Sequence, residues 1–196
     1  MQRVVVFGTT GSGKSWLAER LATRTGLRLV ELDRLYWGRD WQPAPVDLFR
    51  YRVENEIRDG GWIVAGNYGQ VRDLTWRAAD TLVWLDLPLP LVMARLVRRT
   101  LRRAVTKEEL WGTGNRETFA NAFLSRQSIL LWAFRTHRRN RRRFAEESGH
   151  YGDGKRIVRL RSPRDVERFV AGHFCLPERR EGSFAVPTKD PSLRSG

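Results

Sequence analysis

Short apolar runs alternate along the chain with stretches of helical periodicity, the order that builds βαβ units and a parallel sheet. Arg3 to Phe7 reads as a short apolar run and suits a strand buried on both faces. Helical spacing starts at about Lys14, with Leu17/Leu21 and Ala18/Ala22 four apart, and Gly26 stops it. Leu29 to Leu32 predicts a second strand. Pro45 opens a helix whose Phe49, Val53 and Ile57 share one face, ended by Asp59-Gly60-Gly61. Trp62 to Ala65 predicts a third strand and Thr81 to Leu87 a fourth. A helix over roughly 90–103 follows, then Thr113-Gly114-Asn115 and a long helix near 118–147. Arg156 to Leu160 predicts the fifth strand, and Ser162-Pro163-Arg164-Asp165 a capped helix start. The expected fold is α/β, a five-stranded parallel sheet between helices, occupying 1–172. Pro177, Gly182, Pro187 and Pro191, with little periodicity between them, predict a flexible tail over 173–196.

Between the first strand and the first helix stands Gly8-Thr9-Thr10-Gly11-Ser12-Gly13-Lys14-Ser15, a complete G-x-x-x-x-G-K-[ST] phosphate loop in its proper strand–turn–helix setting. The chemistry needs these residue types. Glycines let consecutive backbone N–H groups turn inward around an anion, where a side chain would collide with phosphate. The positive end of the helix that follows points at the same anion. Lys14 is placed to reach the β- and γ-phosphates of ATP, and the Ser15 hydroxyl to ligate Mg²⁺. The fold expectation sharpens accordingly to that of a P-loop NTPase.

Charge adds a second candidate feature. The chain carries 36 basic and 22 acidic residues, net +14, and residues 95–143 alone hold 14 of the basic and 3 of the acidic groups. Of the basic residues 32 are arginine, the better fork for bidentate phosphate contacts. Such a segment suits either a small polyphosphate or a nucleic-acid backbone. Arg141-Arg142-Arg143 read as solvated surface. No apolar run reaches the length of a membrane span, no cationic leader precedes Val4, and a lone Cys175 fits a reducing compartment, so a cytoplasmic protein without membrane contact is expected.

The phosphate loop, Glu31-Leu32-Asp33-Arg34-Leu35-Tyr36-Trp37, Trp62 to Tyr68, Leu85-Asp86-Leu87-Pro88 and Leu110 to Glu117 together resemble P-loop kinases of the nucleoside-monophosphate (adenylate) kinase type. They are most similar to the bacterial DNA topology modulation (FlaR-like) proteins, over about residues 1–172. The resemblance implies transfer of a phosphoryl group from Mg·ATP to a small acceptor, a nucleotide or nucleoside, and an Arg-rich helical lid at about 104–120. It implies that Arg95 stacks on adenine and that Arg99, four residues on, contacts phosphate. It also implies an acid at the end of the third strand, where this chain has Ala65.

Asp33, at the end of the second strand, is the candidate to orient or deprotonate an acceptor hydroxyl, or to hold Mg²⁺ through water. Tyr36, Trp37 and Trp41 either stack on a base or cover the core. Asp86 ends an apolar run on a strand that, in the order the resemblance implies, lies across the first strand from the third, which leaves its reach to metal open. Arg116 in the lid and Arg135, Arg138 and Arg139 beyond it are candidate donors to developing charge. The rival function is an ATP-dependent nucleic-acid-binding or regulatory protein that uses 95–143 as its phosphate-backbone surface. Arginines converging on one cleft favour the kinase; an outward stripe favours nucleic acid.

Overall fold

A computed structural model describes residues 1–106, 109–110, 112–116 and 129–172. In chain order the elements are β1 (Arg3–Gly8), α1 (Lys14–Thr25), β2 (Arg28–Glu31), α2 (Leu32–Tyr36), α3 (Val46–Ile57), β3 (Trp62–Ala65), α4 (Arg72–Ala78), β4 (Thr81–Leu85), α5 (Leu89–Thr106), β5 (Glu109–Leu110), β6 (Asn115–Arg116), α6 (Ile129–Tyr151), β7 (Arg156–Leu160) and α7 (Pro163–Val170). Short 3₁₀ turns lie at Arg39–Trp41 and Gly69–Val71. Five strands form one parallel sheet in the order β2-β3-β1-β4-β7, and β5 pairs antiparallel with β6 in a separate hairpin. The expected five-stranded parallel α/β architecture is the one observed.

Strand alternation splits the core into two layers. Val4 and Val6 of β1 join Leu17, Ala18 and Leu21 of α1 and Val166, Phe169 and Val170 of α7. Val5 and Phe7 join Phe49, Val53 and Ile57 of α3, Trp76 of α4 and Phe144 of α6. Phe7 is the hub of the second layer, with ring centroids 4.4 Å from Trp76 and 5.6 Å from Phe144. Trp62, fully buried, donates its Nε1–H to the Ile57 carbonyl at 3.1 Å, which locks the end of α3 to the start of β3. The α7 start is the predicted capping box: Ser162 Oγ accepts from the Asp165 amide, and the Asp165 carboxylate from the Ser162 amide.

Two helices depart from expectation. The apolar pattern does not announce α4, because its buried residues are Arg72, Thr75 and Trp76, only one of them apolar. The long basic helix runs on to Tyr151, and its buried stripe is mostly polar: Ala133, Thr136, His137, Asn140, Phe144 and Ser148. The part of that helix expected over 118–128, Cys175 and the 173–196 tail lie outside the described residues. Among the described residues no helix is long and apolar enough to cross a membrane.

Candidate active site

The loop leaves β1 at the centre of the sheet, where strand order reverses and open α/β sheets leave a crevice. Two glycines are demanded by space as well as by backbone. At Gly8 (φ 151°) a Cβ would lie 2.7 Å from the Leu85 carbonyl, and at Gly11 (φ 82°) 2.9 Å from the Val92 carbonyl. The loop therefore nests between β4 and α5. The Ser12 amide donates to the Thr9 carbonyl at 3.2 Å to close the turn, and left-handed Gly13 feeds the chain into α1. Thr9 and Ser12 are buried, Thr10 and Gly13 partly so, and Ser15 is exposed on the first turn of the helix. That turn carries no acidic residue to compete for an incoming anion.

Lys14 folds back across the loop, its Nζ donating to the Thr9 carbonyl at 3.1 Å. Desolvation lowers its pKa to about 8; the nearby Asp33 carboxylate opposes that shift and the Arg99 guanidinium adds to it. Asp33 and Arg99, two of the predicted catalytic residues, thus both act on the charge of Lys14, a third. Arg95 stands against the loop. Its guanidinium donates to the Ser12 carbonyl at 3.2 Å and lies 3.6 Å from where a Cβ on Gly13 would be. Arg95, Arg98, Arg99 and Arg102 line an open groove of about 290 Å³ along α5.

Asp33 belongs to the first turn of α2, just beyond β2. Its Oδ1 accepts from the Tyr68 hydroxyl at 2.5 Å, the short range of a charge-assisted bond. Tyr68 is in turn packed by Tyr36 and Phe49, with ring centroids at 4.6 and 5.2 Å. Burial and the facing Asp33 carboxylate push its hydroxyl pKa up, so the phenol keeps its proton and stays a donor. Tyr36 packs against the core, while Trp37 and Trp41 remain half-buried, edge to face.

The carboxylate question at the strand ends is settled by partners. Ala65 ends β3 and is followed by Gly66 (φ 152°), where a Cβ would be 2.6 Å from that of Leu32. Asp86, beyond β4, is buried and accepts from Arg141 Nε and a terminal guanidinium nitrogen at 2.6 and 2.9 Å, and from the same two groups of Arg159 at 2.9 and 2.8 Å. It is an anchor for α6 and β7. This corrects the assignment of Arg141 to the solvated surface: half-exposed as it is, it holds a buried charge 55 residues away. Arg142 is exposed, and Arg143 lies over Phe144 and 3.7 Å from Glu147.

Among the described residues no group of three or more His, Cys, Asp or Glu side chains is placed to hold a metal. Ser15, on the first turn of α1, presents an exposed hydroxyl.

The remaining arginines divide. Arg135, Arg138, Arg139 and Arg142 face solvent on α6 rather than joining Lys14. Arg116 lies in β6, its backbone paired with Glu109; its side chain is outside the described residues. The hairpin reaches the segment after α2 through a residue that the sequence marked only as a turn. Buried Asn115 donates from Nδ2 to the Gly38 carbonyl at 2.8 Å and accepts from the Trp41 amide at 3.0 Å. The segment it holds contains two non-glycine residues with positive φ, Asp40 (52°) and Trp41 (56°).

No protein-family model matches the chain, and no curated protein does. Among solved structures, it is similar to a gluconokinase from Sinorhizobium meliloti 1021, with 18% identity and a TM-score of 0.48 over 87% of this chain and 91% of that one. It is likewise similar to a sugar kinase from Janibacter sp. HTCC2649, with 18% identity and a TM-score of 0.47 over 87% of this chain and 93% of that one.

Proposed function

We propose that the chain is a Mg·ATP-dependent phosphotransferase, a P-loop kinase of the nucleoside-monophosphate-kinase-like type, that transfers the γ-phosphoryl group to a small nucleotide- or nucleoside-class acceptor. The observation that carries this is a sterically complete phosphate loop whose buried Lys14 feels the charges of both Asp33 and Arg99. The loop amides and the α1 N-terminus would hold the β-phosphate, while Lys14 exchanges the Thr9 carbonyl for phosphate oxygens. Arg99 would meet charge that grows on the transferring group, and Arg95 would brace the loop through Ser12. Bound Mg²⁺ supplies charge neutralisation on the phosphates, with Ser15 as its protein ligand. Asp33 would orient the acceptor opposite the loop.

Lys14→Ala is expected to abolish Mg·ATP binding in a folded protein, and Asp33→Asn to spare binding while lowering transfer about a hundredfold or more. Calorimetry and a coupled ATP-consumption assay read the two separately. Undiminished affinity and turnover in Lys14→Ala would overturn the proposal.

One observation favours a second activity on a separate face. Arg135, Arg138, Arg139 and Arg142 form an exposed row on α6, as binding to a nucleic-acid backbone requires. Duplex affinity that falls steeply with salt, with a slope reduced in an Arg138→Ala/Arg142→Ala variant, is the expected signature. Affinity indifferent to these changes would exclude it.

A further inference from the structure

We infer that Trp16 is a specificity-determining residue for the donor, its indole forming one wall of a site for the purine base of the nucleoside triphosphate. This rests on the phosphotransferase proposal and names a side chain that reads the donor's base. The phosphate loop grips the polyphosphate alone and is blind to what hangs from it. A base is a flat π-system with little charge, and a side chain that reads it must offer a flat face of its own.

The direction in which the nucleoside leaves the loop follows from the sheet. In the order β2-β3-β1-β4-β7, Asp33 beyond β2 and α5 beyond β4 flank the loop on opposite sides. The γ-phosphate is turned toward Asp33, as transfer to an acceptor held there requires, so the nucleoside end leaves toward the β4–β7 half. One face of α1 is turned the same way. Gly13, Trp16, Arg20 and Arg24 recur at i, i+3, i+7 and i+11, a single stripe along the helix. From that stripe Arg24 donates to the Ala171 carbonyl beyond α7 at 3.4 Å.

The core takes Leu17, Ala18 and Leu21 from α1 and leaves Trp16, one residue past Ser15, 46% exposed. Helix geometry tilts its side chain back toward the N-terminus, over the turn that Gly13 begins. The Arg95 guanidinium reaches the same turn from α5, 3.6 Å from where a Cβ on Gly13 would lie. Gly13 has no side chain to fill the space between them. Two planar groups, an indole from α1 and a guanidinium from α5, therefore converge where the nucleoside leaves the loop. Arg20, one turn on, lies over the Trp16 ring at 4.9 Å from its centroid, which holds the indole on the helix surface and covers one face. The exposed remainder of the ring is what a base would stack on. A purine's two rings overlap an indole more fully than a pyrimidine's one, so this wall favours a purine donor.

Calorimetry on the full chain compares Mg·ATP, Mg·CTP and Mg·tripolyphosphate, the last having the phosphates and no nucleoside. Trp16→Ala should weaken Mg·ATP about tenfold, as loss of one base–aromatic stack does, and leave Mg·tripolyphosphate within about twofold. The tripolyphosphate arm also reports that the loop of the variant is intact. Trp16→Phe should recover most of the loss, and the preference for ATP over CTP should shrink in Trp16→Ala. Equal weakening of ATP and tripolyphosphate would overturn the inference, since the indole would then only support the loop. So would unchanged ATP affinity in Trp16→Ala, or a wild-type chain that binds tripolyphosphate as tightly as ATP; each leaves the kinase proposal standing. A wild-type chain that binds neither ligand would instead overturn the proposal, and this inference with it.

Discussion

Replacing Asp86 with Asn separates an anchoring carboxylate from a metal-binding one. The side chain is only 2% exposed and accepts four hydrogen bonds from two guanidinium groups. Asn keeps the size but removes the charge and turns an amide donor toward donors. Breaking a buried charge pair costs about 3–5 kcal/mol. The lower end applies here, since Arg141 is 49% and Arg159 25% exposed and both recover hydration when released. At about 2–4 °C per kcal/mol for a chain of this size, the melting temperature should fall by about 6–12 °C. Affinity for Mg·ATP, measured by calorimetry well below that transition, should stay within about twofold. Arg159→Met is the graded control. It leaves Arg141 in place and should cost about 1–2 kcal/mol, within the range for loss of one charged hydrogen-bond partner. An Asp86→Asn protein with an unchanged melting temperature and a Mg²⁺-dependent affinity weakened tenfold would refute the anchor and restore Asp86 as a metal ligand.

The pKa of Lys14, lowered to about 8, implies a pH dependence of nucleotide binding. Phosphate needs the charged lysine, so above pH 8 binding must take up a proton and affinity should fall by up to about tenfold per pH unit. Calorimetry at pH 9 in buffers of different ionisation heat should count nearly one proton, and a flat affinity from pH 7.5 to 9.5 would contradict this. Gly11→Ala should destabilise the protein by about 1–3 kcal/mol and weaken ATP binding, because it combines φ 82° with a 2.9 Å approach to the Val92 carbonyl; chemical denaturation and calorimetry check both. Asn115→Ala should speed amide hydrogen exchange across 109–116 about tenfold or more, since each lost hydrogen bond in a buried site is worth about 1–3 kcal/mol.

What the sequence disclosed follows from how local each signal is. β1, β3 and β4 were legible because both faces of these strands are buried, so the apolar run itself marks them. The phosphate loop is a local grammar of glycines before a helix, and the α7 cap is another. α4 was missed because its inner face is polar and paired across space, Arg72 with Glu147. Asp33 was legible as a candidate from its strand-end position, but its tie to Tyr68 spans 35 positions and no periodicity encodes it. Arg141 looked like its neighbours Arg142 and Arg143, and only tertiary placement opposite Asp86 distinguishes it. Asn115 carried a weak signal at most, an amide beside a glycine turn, which suits a bend as well as a contact.

The manner in which Asn115 grips its target has an evolutionary consequence. Both of its bonds end on main-chain atoms, the Gly38 carbonyl and the Trp41 amide, and neither depends on a side chain of the gripped segment. Arg39 and Asp40, between those two points, are exposed. Exchanges at these two positions can retune what the segment meets without erasing the grip, provided that position 40 still tolerates its positive φ. Fastening through the backbone thus uncouples the identity of those two side chains from the mechanical linkage, and lineages can diversify the first while inheriting the second.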